Sequence, residues 1–526
     1  MTFTVLLVRR YRWLLGCWPV LLIALSGMAS MYEDTYRTSE ARRAAVLLAQ
    51  DNAATTLVYG RLADPGTAAQ MFAWETGAFV TILAAVMAVV LAVALTRTVE
   101  DDGTLELLRG CGMRPVRPLL SALTALGAAA VLVAVGCMLA ILATAGRAGG
   151  VTVSGAALFG TVAALTFAVM AATVVVAAQI AGSAGRARLL GFVVLGAGFV
   201  LRAVADTQDL PALNWVSPLG LRAVTRPFTA DRWSALLPGL VAVVVLAGVA
   251  VWWARRREFG TGLLPSAGRR GSRLRVRTSV GLAARLNRSS LLAWTVAVTA
   301  VVNLFAAMGS GAVRQQRDGE VGGFLGSQLG PGDPATGFLA YCGTVVGIIV
   351  SVYAILQVLS ARQAEDTGLT ALMLATGIRR WVPLAAQAAV AAAGCAVILT
   401  VSGAVVAVVG PVFIAGDDIG MRGFVYTIGQ WPAAAAMAGL AALLAGLAPR
   451  LSGLAWLPLI ASTGLAMLGD LLGVPDRIQD LGFFQHVPDV TTPNPDLGSL
   501  LLLVGAGLVL ALSGGAAVTR RDLRAG

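Results

Sequence analysis

At 526 residues, 57% of them hydrophobic and only 13% charged, with mean hydropathy +0.80, the chain lacks the polar skin that a soluble protein needs. Its net charge of +12 comes from arginine alone, since no lysine occurs, and the arginines lie in short loops between apolar runs; no basic face with interleaved aromatics marks a nucleic-acid binder. A P-loop needs a lysine on the β- and γ-phosphates, so the chain has no conventional nucleotide cassette of its own.

The chain opens with Phe3 to Arg12, a candidate helix on the membrane surface, carrying Arg9, Arg10 and Arg12. The apolar run that follows to about Met28 is longer than the hydrophobic region of a typical signal peptide and reads as an uncleaved first span. Further apolar runs bring the expected number of spans to twelve. They lie near 13–31, 76–96, 118–145, 153–181, 187–205, 233–254, 290–310, 337–360, 382–415, 424–448, 451–473 and 497–517. The runs are continuous rather than alternating, which excludes a barrel and predicts an all-α polytopic membrane protein.

Between spans 6 and 7 lies a basic segment, with ten arginines from Arg255 to Arg288. Cytoplasmic loops carry the arginine excess, so this segment sets both termini in the cytoplasm. It also divides the chain into a first six-span half over 1–254, a linker with a short interfacial helix over 255–289, and a second six-span half over 290–526.

Each half carries the same charged elbow after its second span. Arg97-Thr-Val-Glu100-Asp101-Asp102-Gly103 recurs as Arg362-Gln-Ala-Glu365-Asp366-Thr367-Gly368, at an offset of 265 residues. The offset holds without a gap to Gly112 and Arg114, which fall on Gly377 and Arg379. Any cytoplasmic loop carries charge, but ordinary loop composition does not repeat Arg, Glu, Asp, Gly, Gly and Arg in register. The elbow carboxylates are placed to pair with arginines of a docked protein, and Thr104–Arg109 reads as a short helix opening on Glu106.

Five scattered cysteines without a C-x-x-C and a single histidine, His486, indicate neither a disulfide framework nor a metal site. Polar residues in or near spans are Glu75, Arg202, Asp206, Asn303, Gln357 and Asp470. Most lie at span ends, and Asn303 is the deepest.

The elbow pattern, Arg-x-x-Glu-acid-x-Gly followed by a turn and an Arg, resembles the coupling region of ABC-type exporter permeases, nearest to the fused twelve-span permeases of the tetronasin-resistance kind. Asn214-Trp-Val-Ser217-Pro218-Leu-Gly220 with Arg226-Pro227-Phe228 is similar to that family's outer loop before span 6. Gly473-Val-Pro475-Asp476 with Phe483-Phe484-Gln485-His486 resembles its counterpart in the second half. The resemblance covers essentially the whole chain.

It implies the transmembrane subunit of an exporter in the bacterial inner membrane, moving hydrophobic or amphipathic compounds such as antibiotics. A cytosolic ABC ATPase, in two copies, would hold the ATP and Mg, and this chain would carry no cofactor. It further implies ATPase coupling through Arg97, Glu100, Asp101, Gly103, Glu106 and Arg114 in one half, and Arg362, Glu365, Asp366, Gly368 and Arg379 in the other. The substrate path would pass Phe79, Phe192, Phe199, Tyr353 and Trp456, with Asn303 as its deep polar group. Two departures stand out: Glu106 is matched by Ala371, and Ser217-Pro218 by Gly482-Phe483. The competing expectation is a proton-coupled twelve-span secondary transporter. Its loop between spans 2 and 3 is usually basic, however, and it needs buried carboxylates or histidines. A membrane scaffold or sensor is the non-transport alternative.

Overall fold

The computed structural model describes residues 3–35, scattered positions across 36–52, and residues 53–110, 112–144, 150–257, 276–317, 333–468, 474–487 and 497–521. Most of the linker, Asp470 and the segment from Pro488 lie outside the described residues. The chain divides into two compact units, Met1–Ser272 and Arg273–Gly526.

In the first unit α1 (Phe3–Arg10) leads into α2 (Arg12–Ser26). α3 (Ala68–Val93) continues through a π-helical turn at Ala94–Thr98 to Asp101. The short elbow helix α4 (Thr104–Gly110) follows, then α5 (Arg117–Thr144), α6 (Val153–Ile180), α7 (Ala184–Thr207) and α8 (Leu237–Arg256). The 34-residue rod from Ala68 to Asp101 is about 51 Å of helix at 1.5 Å per residue. That exceeds a hydrocarbon core of about 30 Å, so both its ends emerge into the interface and beyond. It starts on a capping box, in which Thr67 accepts from the Gln70 backbone and Gln70 reaches back.

α3 and α6 are the buried helices of this unit, 72% and 78% buried over their most apolar windows, against 22–33% for its other spans. α6 is packed by α3 on one side and α5 on another. A Cβ at Gly160 of α6 would lie 2.3 Å from the Ala134 carbonyl, so only glycine permits that approach of α5.

The second unit repeats this plan. α9 (Ser279–Arg317) is one continuous helix, so the interfacial helix expected before span 7 is the first part of the span itself. α10 (Pro334–Asp366) is followed by the elbow helix α11 (Leu369–Leu374) and α12 (Val382–Phe413). α13 (Ile419–Ile428) and α14 (Trp431–Leu447) form one broken crossing, followed by α15 (Trp456–Leu468) and α16 (Gly498–Arg520). α10 and the α13–α14 crossing are again the buried pair. At the break, Gln430 is buried and donates to the Phe484 carbonyl, and Trp431 donates to Ala392 of α12. α14 and α16 touch backbone to backbone: a Cβ at Gly439 or Gly446 would lie 2.1 or 2.2 Å from the carbonyl of Gly507 or Gly514.

Eleven helices among the described residues are long and apolar enough to cross a bilayer. The eleventh expected span, near 451–473, is the one not among them: it begins as a 3-10 turn at Pro449–Ala455, and its α-helix, α15, has 13 residues. That is about 20 Å of helix, and residues 469–473 lie outside the described set.

Candidate functional site

The two elbows share one backbone design. Gly103 and Gly368 (φ +72 and +76) and Gly112 and Gly377 (φ +86 and +84) all sit in the left-handed region. Nothing crowds any of the four, so backbone conformation rather than space demands glycine there. The repeat of Gly at these positions thus specifies the turn on either side of each elbow helix.

In the first elbow Arg97 is 2% exposed. Its Nε donates to Asp101 at 3.1 Å, its Nη1 to Glu100 at 3.3 Å and its Nη2 to the Gly182 carbonyl at 3.0 Å. Glu100, itself buried, also accepts from Arg257 at the end of α8 at 2.6 Å. Asp101 accepts from the Ala184 backbone at the start of α7 at 2.6 Å, and Asp102 from Arg10 of α1 at 2.7 Å. One loop is therefore tied to α1, α7 and α8.

The second elbow is held more simply. Arg362 pairs with Asp366 at 2.9 Å. Glu365, buried, accepts both Nη atoms of Arg521, just past the end of α16, at 2.9 and 2.6 Å. Each elbow glutamate is thus clasped by an arginine at the C-terminal end of the last helix of its own unit.

Glu100 and Glu365 thus pair with arginines of their own unit and hold the elbow in place. Exposed elbow residues include Asp101, Asp102, Glu106 and Arg114 on the first elbow, and Asp366 and Arg379 on the second. Where the first elbow helix shows Glu106, the second shows Ala371 beside exposed Leu369 and Leu372. The two outward faces are acidic and apolar respectively.

The aromatic candidates divide. Phe79 of α3 and Phe192 of α7 present exposed side chains, and Phe79 packs edge-on against Tyr59 at 5.8 Å. Phe199 is half-buried and packs on the first unit's core. Tyr353 is 1% exposed, tilted on Trp294 at 5.9 Å with its hydroxyl directed at Gly394, and so belongs to the second unit's core rather than to an open surface. Trp456 packs on that same core. Asn303 donates to the Thr299 carbonyl at 2.7 Å, a bond within its own helix. Among the described residues no group of His, Cys, Asp and Glu is arranged to hold a metal ion.

Residues 276–518 match the family model described as the C-terminal domain of the multidrug efflux system permease Rv1217c. The chain is 33% identical over 531 residues to the multidrug efflux system permease protein Rv1217c of Mycobacterium tuberculosis (strain ATCC 25618 / H37Rv), covering 99% of this chain and 94% of that protein. The chain belongs to this permease family. It is a multi-pass bacterial membrane protein with a permease's role in transport.

Two residues of the permease that sequence reasoning did not single out are the clasp arginines, Arg257 and Arg521. A signal for them exists. Arg256-Arg257-Glu258 and Arg520-Arg521-Asp522 are a second short repeat, offset by 264 residues, one away from the elbow's 265.

Proposed function

We propose that this permease is the membrane subunit of an ATP-driven ABC exporter. It exports hydrophobic or amphipathic compounds, the cargo suggested by the multidrug efflux relative. Separate cytosolic ATPase subunits, two per permease, bind ATP and Mg and dock on the elbows through Asp102, Glu106 and Arg114 in one unit and Asp366, Leu369, Leu372 and Arg379 in the other. The chain itself hydrolyses nothing.

The observation that carries this reading is the repeated clasp. A loop that served only as a connection would not need a buried glutamate fixed to the last helix of its unit. With the clasp in place, a push on α4 or α11 reaches α8 or α16 through a buried, charge-assisted bond, and reaches α3 or α10 through the chain. A rigid elbow is what an external motor requires; a gradient-driven carrier requires a titrating group in its path.

The test is transport into inside-out vesicles containing the permease with a cytosolic ABC ATPase partner. Uptake of a hydrophobic cation or neutral dye is expected to follow ATP and to survive a protonophore. Glu75, which accepts from Tyr32 at 3.0 Å, is a carboxylate inside a span that a proton-coupled carrier could use, and Glu75→Gln is expected to leave ATP-driven uptake in place. Uptake without ATP that collapses with the protonophore, or with Glu75→Gln, refutes the reading in favour of secondary transport.

A further inference from the structure

At the end of the first unit opposite the elbow, the start of α3, the end of α7 and the loop after it enclose a cavity of about 500 Å³. Drug-sized ligands occupy pockets of about 300–1,000 Å³. Arg61, Arg222, Arg226 and Arg232 line it, together with Asp64, Asp206 and Asp209.

Most of that negative charge is already engaged. Asp206 accepts from Arg202 Nε at 3.1 Å and from Asn214 at 2.9 Å, and Asp209 pairs with Arg61 at 3.0 Å. Arg202 stands behind the wall, 3% exposed. Its Nη1 donates to the Val58 carbonyl at 2.6 Å, while its Nη2 has no hydrogen-bond partner among the described residues. Arg222 donates to the carbonyls of Ala73 (3.0 Å) and Tyr59. Asp206 is thus paired with Arg202, while Arg222 is held by backbone carbonyls.

Both guanidiniums close on Gly60, whose φ is +83. A Cβ there would lie 2.7 Å from Arg202 Nη2, 2.8 Å from Asp206 Oδ2 and 3.5 Å from Arg222 Nη2. Glycine keeps this corner open. Burial, and then the charge of Arg202, pull the Arg222 pKa down to about 9 against the opposing pull of Asp206. Arg226 and Arg232, both exposed, add two more cations at the mouth. Trp74, packed on Tyr59 at 4.9 Å, and Trp215, half exposed, supply apolar wall.

We propose that this cavity binds an amphiphilic anion, with a carboxylate or phosphate head on Arg222, Arg226 and Arg232 and an apolar body along Trp74 and Trp215. Arginine is suited to both head groups because its planar fork meets two oxygens at once. By the 265-residue offset Arg202 corresponds to Met467 and Arg222 to Val487, so the second half does not repeat these two arginines. Scaffold features such as the elbow clasp occur in both halves, and this cluster does not.

The experiment needs neither ATP nor a partner subunit, so its failure is separate from that of the exporter reading. The full chain is placed in phosphatidylcholine nanodiscs and titrated with 11-(dansylamino)undecanoate and with the corresponding uncharged alcohol. The carboxylate is expected to bind at least tenfold more tightly. Arg226→Gln with Arg232→Gln, at exposed positions that do not threaten folding, is expected to abolish that preference. Replacing part of the lipid with phosphatidylglycerol separates two sources of the anion. Arginine-dependent displacement of the probe identifies a lipid headgroup as occupant, and undiminished binding identifies a free amphiphile. Equal affinity for carboxylate and alcohol, or a preference unchanged in the double variant, overturns the proposal.

Discussion

Arg521→Gln is expected to loosen the second elbow far more than Arg257→Gln loosens the first. The geometry sets the order. Glu365 is 8% exposed and Arg521 is the partner of both its oxygens. Removing that partner leaves a buried carboxylate uncompensated, a loss of about 3–5 kcal/mol in comparable cases. Glu100 is as deeply buried, but after Arg257→Gln it still accepts from Arg97 at 3.3 Å. What is lost there is one charge-assisted hydrogen bond, about 1.5–3 kcal/mol. At tenfold per 1.4 kcal/mol, local opening rises about 100- to 1,000-fold or more in the second elbow and about 10- to 100-fold in the first. Hydrogen exchange of the purified chain reads this directly at the amides around residues 365–374 and 99–106, the two elbows serving as each other's control. The charge swap Glu365→Arg with Arg521→Glu should recover most of the protection. Equal loosening of both elbows, or a swap no better than either single variant, refutes the idea that these ion pairs hold the elbows to the last helices.

Gly446→Leu places its side chain on the Gly514 carbonyl; overpacking typically costs about 1–3 kcal/mol, and with backbone as the obstacle a clear drop in thermal midpoint is expected. Gly103→Ala and Gly368→Ala should each cost about 1–2 kcal/mol, and Asn less at either site, because only the left-handed φ is at stake; thermal melts of the four variants check this. Asp333 caps α10 through Thr336 and pairs with Arg422 at 3.1 Å; burial raises its pKa, but the hydrogen bonds from Thr336 and Ala335 and the charge of Arg422 outweigh this and hold it below the usual 3.8. Its stabilisation is therefore complete above that value and lost as pH falls through the lower folded pKa; Asp333→Ala should cost about 1 kcal/mol at neutral pH and flatten that part of the acid melt. Binding of the ATPase partner through the first elbow should weaken with salt and with Glu106→Gln, whereas Leu372→Asp should weaken the second contact; pull-downs at low and high salt distinguish the two faces.

The helical membrane architecture was legible because the bilayer leaves few choices. An apolar run near twenty residues must close its own backbone hydrogen bonds, and that reads off composition alone. The ends of elements were less legible. α3 runs on through Arg97 to Asp101 because its charged residues pair with each other and with Gly182, Ala184 and Arg257. These are contacts across about 80 to 160 residues, and no window along the chain contains them. The region near 451–473 has the composition of a span, yet Pro449 and Ser452-Gly453 favour the 3-10 turn that occupies its start.

Within the elbow, the repeat located the right residues but not the direction in which they face. A glutamate in a charged loop between spans reads as surface, and only the last helix of each unit shows that the Glu100 and Glu365 side chains are interior. What remained at the surface differs between the halves. Duplication conserves what both copies need to stand, namely the four glycines, the two glutamates and the two clasp arginines. Positions released from that requirement, Glu106 against Ala371 at the elbow and Arg222 against Val487 at the far end, are where the halves have become chemically unlike. The acidic elbow and the arginine-lined cavity lie at opposite ends of the same half, joined by the buried rod from Ala68 to Asp101. Force applied at Asp101 therefore has a continuous helical route to Gln70, Ala73 and Trp74 in the cavity wall.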